Sequence, residues 1–186
     1  WMSRLGLATD GSADGVTVLK QGWGVEPLTE GQAACVSTMS YNEYWVVRDA
    51  GYSPEQLTVF KYQAEGAATL EDGLYVLEKN LGDTSFKDKM IRFVRASMKG
   101  WKYAEANPKE AASIILDNDD AGVQTEKHQV RMMGEIAKLT AGSNGALDPA
   151  DYQRTVKVLM SGASDPVITK EPSGAWTHDI TNAALN

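Results

Sequence analysis

The apolar positions of this chain follow two different rhythms. Up to residue 62 they form short runs separated by turn residues. Gly15-Val16-Thr17-Val18-Leu19-Lys20 is β-branched and glycine-bounded, and predicts a strand. Ala33 to Met39 predicts a second, buried strand, and the alternation of Leu57-Thr58-Val59-Phe60-Lys61-Tyr62 a third. Between them, Pro27 to Gln32 predicts a short helix. Tyr41 to Ala50 predicts another, closed by Gly51 in the left-handed cap position. Asp72 to Leu77 is one more short apolar run, a strand or a helix, since periodicity does not separate the two over so few residues.

Beyond it the period becomes helical. Phe86, Met90, Phe93, Val94 and Trp101 recur on one face, with Trp101 and Tyr103 expected to pack on the core. Asn107-Pro108-Lys109-Glu110 carries three agreeing helix-start signals: a capping Asn, Pro at the first position and Glu at the third. Thr125 is expected to cap the next helix, whose apolar stripe is Val130, Met133 and Ile136. Asp148-Pro149 opens a helix that turns Tyr152, Val156 and Leu159 inward and ends near Gly162, and Ile180 to Leu185 forms a last short one. Short strands alternating with helices imply an α/β class, and the change of rhythm near Gly66 is the candidate boundary. Three or four strands do not complete a doubly wound sheet. With an opening at Trp1 that lacks any basic-then-apolar targeting pattern, this gives the expectation of a fragment or processed product.

Composition narrows the partners. The formal net charge of −7 and the singly scattered Lys and Arg offer no basic stripe for a phosphate backbone, so nucleic acid is not an expected partner. Cys35 is the single cysteine, expected in the buried strand, and forms no internal disulfide or CxxC spacing. The two histidines, His128 and His178, stand 50 residues apart without cysteine or carboxylate partners at ligand spacing, so no metal site is expected. Gly22-Trp23-Gly24 is too short a match for a dinucleotide loop, and no cofactor is implied.

Several collinear segments resemble the substrate-binding proteins of ABC importers for nitrate, sulfonates, taurine and thiamine pyrimidine precursors. They are Leu28 to Ala34 leading into Met39-Ser40-Tyr41-Asn42-Glu43, then Leu70 to Leu74, Phe93 to Trp101 with Asn107-Pro108, and His128-Gln129 before Met132 to Ile136. Tyr-Asn-Glu followed by Ala-Ser-x-x-Gly-Trp is most similar to the pyrimidine-precursor branch. The resemblance implies the carboxy-terminal portion of a two-lobed type II periplasmic-binding-protein fold, with the first lobe's opening strands missing. Residues 1–63 would belong to the second α/β lobe, and residues 64–186 to the crossover and the helical end of the first. It also implies a small-molecule ligand (an aminopyrimidine-like ring, or another small heterocycle or anion), a membrane ABC permease as partner, and a periplasmic or lipid-anchored extracytoplasmic location.

The expected ligand contacts are Ser40, Tyr41, Asn42, Glu43, Gln63, Glu65 and Trp176. Tyr41-Asn42-Glu43 lies where a strand gives way to a helix, the usual place for a ligand in open α/β sheets. A carboxylate accepts from a ring amine, an amide both donates and accepts, and a tyrosine offers a flat face. The same four residues also spell a capping box, with Ser40 and Glu43 satisfying helix amides. Gln63 and Glu65 are either cleft residues at the crossover or a solvated loop. Trp176 is either an aromatic wall or a surface anchor. The role read here is binding, not catalysis. A pyrimidine-precursor synthase on the same scaffold would need a cysteine-rich iron-binding stretch, which Cys35 alone does not provide. A metabolite-sensing domain is the other alternative.

Overall fold

The computed structural model describes residues 2–161 and 166–185. Among the described residues seven α-helices form: α1 Glu26–Thr29, α2 Glu43–Asp49, α3 Thr84–Ala106, α4 Pro108–Asp117, α5 Glu126–Thr140, α6 Pro149–Met160 and α7 Asp179–Leu185. Short 3₁₀ turns occur at Met2–Leu5, Pro54–Gln56 and Glu78–Gly82.

The expected α/β architecture is not formed. Among the described residues there is no strand and no sheet, so the type II periplasmic-binding-protein fold is corrected to an all-helical one. The runs at 15–20, 33–39, 57–62 and 72–77 are irregular and lie largely in solvent. Val18 is 63% exposed, Val59 54% and Leu77 63%. The reason is physical. A β-branched run favours a strand only where a neighbouring strand takes its N–H and C=O groups and a packed face covers its side chains. These runs have neither, and their alternation records a preference that the tertiary environment does not use. Cys35, expected in a buried strand, is exposed for the same reason.

The helices follow the sequence signals closely. The Asp83 carboxylate accepts from the N–H groups of Ser85 (2.8 Å) and Phe86 (3.4 Å), capping the start of α3. Thr125 Oγ1 accepts from the His128 N–H at the head of α5, and Asp148 caps α6 through the Ala150 N–H at 2.7 Å. Gly51, at φ +103°, lets the chain leave α2. Asn107 occupies the cap position of α4 but does not cap it. Its Nδ2 instead donates to the Tyr103 carbonyl, closing the end of α3. Glu110 hydrogen-bonds the Tyr103 hydroxyl, which raises that phenol's pKa. Trp101 and Tyr103 are each 44% exposed and are not the core residues their spacing suggested. The last helical residue of α6 is Met160, and Gly162 lies outside the described residues.

The chain forms two compact units. The first comprises Trp1–Val18, Val59–Arg95 and Gly145–Asn186. Its buried positions are Ala67, Ala68, Val156 and Ala184. Two hydrogen bonds tie the segment after Gly66 to α6: Leu70 N–H to Thr155 Oγ1 at 2.9 Å, and Arg154 Nε to the Ala68 carbonyl at 3.3 Å. Arg95 donates from Nε and Nη2 to the carbonyls of Ala184 and Ala183, placing a cation on the carboxyl end of α7. The second unit comprises Leu19–Thr58 and Ala96–Asn144. Here α4 packs on α5, and Val25, Val47, Ala111, Ala112 and Met133 are buried. No helix among the described residues is long and apolar enough to cross a membrane.

Candidate functional site

Within the second unit, the segment entering α2 makes a tight corner. The Met39 carbonyl accepts from the N–H groups of Asn42 (3.1 Å) and Tyr44 (3.3 Å), and α2 begins at Glu43. Asn42 holds the cap position without a side-chain cap. The capping box expected between Ser40 and Glu43 is absent. Glu43 reaches one residue further back, its Oε2 accepting from the Met39 N–H at 2.8 Å. A box of that type brackets Pro54–Gln56 instead, where the Ser53 N–H donates to Gln56 Oε1 at 2.7 Å.

The second oxygen of Glu43, Oε1, accepts from Asn42 Nδ2 at 3.0 Å. An ionised carboxylate has about four acceptor positions, and these two donors, one on each oxygen, hold the group. Asn42 Oδ1 in turn lies 2.8 Å from His128 Nε2, which α5 supplies. The same face of α5 binds the other end of α2. Lys127 Nζ meets Asp49 Oδ1 and Arg131 Nη1 meets Asp49 Oδ2, both at 2.9 Å. Hydrogen bonds from Arg131, then from Lys127, lower the Asp49 pKa from 3.8 to about 2. The Arg131 guanidinium also lies 4.8 Å from the centre of the Trp45 ring, a cation–π contact. Tyr44 and Trp45 form an edge-on pair at 5.3 Å. The structure thus pins α2 to α5 at both ends, with a half-buried carboxylate at the start.

Ser40 is exposed at this corner, while Tyr41, Asn42 and Glu43 are half-buried. The remaining expected contacts lie in the first unit. Gln63 is exposed in a turn, its carbonyl accepting from the Gly66 N–H at 3.3 Å. Glu65 is half-buried and donates its N–H to the Lys61 carbonyl. Trp176, 39% exposed, sits 4.8 Å from the His178 ring and 6.1 Å from that of Tyr152. His178 Nε2 bonds the Leu147 carbonyl at 2.8 Å. The sequence reading missed His128, Lys127 and Arg131 as neighbours of the corner. Their spacing of i, i+1 and i+4 on α5 places them on one side of that helix, but nothing in the sequence says what they face.

The family model described as NMT1/THI5 like matches residues 2–111. The chain belongs to that family. The match takes in the whole Ser40–Glu43 corner together with Gln63 and Glu65, whereas His128 and Trp176 lie beyond it. No curated protein and no solved structure matches the chain. Membership in the NMT1/THI5-like family supports a role in binding a small solute.

Proposed function

We propose that this chain is a solute-binding receptor that takes up an aminopyrimidine-like ring at the Tyr41-Asn42-Glu43 corner. It would deliver that ring to the membrane permease of an ABC importer, working in the periplasm or on an extracytoplasmic lipid anchor. Family membership supports the receptor role. The observation that carries the ligand class is the Glu43 carboxylate, held by the Met39 N–H and by Asn42 Nδ2. A carboxylate fixed by two donors is ready to receive the N–H groups of an exocyclic amine. It is ill suited to an anionic ligand, which would meet like charge there. This favours an aminopyrimidine over a sulfonate or nitrate.

One charge-assisted hydrogen bond contributes about 1.5–3 kcal/mol, or roughly one to two decades of affinity. Calorimetric titration of the protein with 4-aminopyrimidine and, separately, with ethanesulfonate tests the choice. Heat of binding from the aminopyrimidine alone is the expected result. Binding of ethanesulfonate with no response to the aminopyrimidine would reverse it.

A further inference from the structure

We infer that His128 is a positioning residue for the Glu43 carboxylate, acting through Asn42. The inference rests on the reading of Glu43 as the ligand contact and adds a residue that determines how that contact is held.

The chemistry of the three groups fixes the direction of every bond between them. An ionised carboxylate only accepts, so the end of the Asn42 amide 3.0 Å from Glu43 Oε1 is the nitrogen. The other end, Oδ1, is then an acceptor, and it lies 2.8 Å from His128 Nε2. That nitrogen must therefore carry a proton. The result is a one-way chain from His128 Nε2–H to Asn42 Oδ1, and from Asn42 Nδ2–H to Glu43 Oε1. The backbone N–H of Met39 closes on the far oxygen, Oε2. Both the neutral Nε2–H tautomer and the imidazolium donate in this direction, so the chain keeps its polarity in either state.

The arrangement changes the part assigned to Asn42. Both ends of its amide are engaged inside the protein, so its role is to transmit orientation from α5 to Glu43. The imidazole itself stands on the first turn of α5, where the Thr125 hydroxyl accepts the His128 N–H at 3.3 Å. Without the imidazole donor, Asn42 Oδ1 loses its anchor on α5 and the side chain is free to swing away from the corner. Glu43 then keeps the Met39 bond, while the bond that sets its plane is no longer held in place.

The test has two arms. In the ligand-free protein, long-range proton–nitrogen NMR is expected to show the His128 Nε2–H form. The Asn42 side-chain amide should be shifted in His128→Leu and close to the wild-type position in His128→Gln, whose amide nitrogen donates from a similar point. In calorimetry with 4-aminopyrimidine, His128→Leu is expected to weaken binding about three- to tenfold, the worth of one hydrogen bond, and His128→Gln to restore most of it. A neutral Nδ1–H form, or equal losses in the Leu and Gln variants, would overturn the inference. If wild-type protein does not bind the aminopyrimidine, the ligand reading fails by itself. The NMR arm still decides whether His128 orients Glu43.

Discussion

Replacing Asp49 by Asn measures how firmly α5 holds the helix that carries Glu43. Asp49 meets Lys127 and Arg131 at 2.9 Å each, but its side chain is 37% exposed and that of Lys127 70%. Exposed pairs are each worth about 0.2–1 kcal/mol. The better-covered Arg131, 23% exposed and seated on Trp45, accounts for the larger share. Against this, Asp49 is the last residue of α2, where a negative charge opposes the helix dipole at a cost of about 0.3–1 kcal/mol. The net expectation for Asp49→Asn is a loss of about 0.5–1 kcal/mol at low salt.

The pH dependence follows from the depressed pKa. The contribution is fully present above the unfolded value near 3.8 and drains away as the pH falls through about 2. Urea unfolding of wild type and variant at neutral pH, in dilute and in molar salt, gives the number. The difference should shrink by more than half in molar salt, where the Debye length falls to about 3 Å. A salt-independent loss above about 2 kcal/mol, or none at all, would refute this account of the α2–α5 contact.

Arg95→Ala removes both donors from the carboxyl end of α7. It should cost about 1 kcal/mol and speed amide exchange in Asp179–Leu185 several-fold, while unchanged exchange would show that α7 does not depend on that cap. Cys35 is exposed, so a maleimide should label it stoichiometrically in native buffer. Labelling only after denaturant is added would return it to a buried position.

The helical half of the sequence was legible because its signals are local. Thr125 caps the helix it was expected to cap, and Asp148 caps the helix that Asp148-Pro149 was expected to open, both through side chains within three residues of the amides they satisfy. Even there, local pattern left two outcomes open. Asn107 turned back to Tyr103, and Glu43 reached Met39 where Ser40 had been expected. The strands failed because a strand is not a local object. Val16 to Leu19 and Leu57 to Phe60 have the right residues, but only a paired neighbour and a covering face make such residues a sheet. The candidate site was half legible. Tyr41-Asn42-Glu43 stood out in sequence, yet the partner of Asn42 lies 86 residues away on another helix, a distance no local pattern spans.

The most direct test of the central claim is the affinity of Glu43 variants for 4-aminopyrimidine. Glu43→Ala should weaken binding tenfold or more. Glu43→Gln, which keeps one acceptor oxygen but loses the charge, should fall between that variant and wild type. Both proteins should remain folded, with Glu43→Ala losing about 1–3 kcal/mol of stability, since the carboxylate gives up its bonds to Met39 and Asn42 at a half-buried corner. Affinities equal to wild type in both variants would contradict the assignment of Glu43 as the ligand-binding carboxylate.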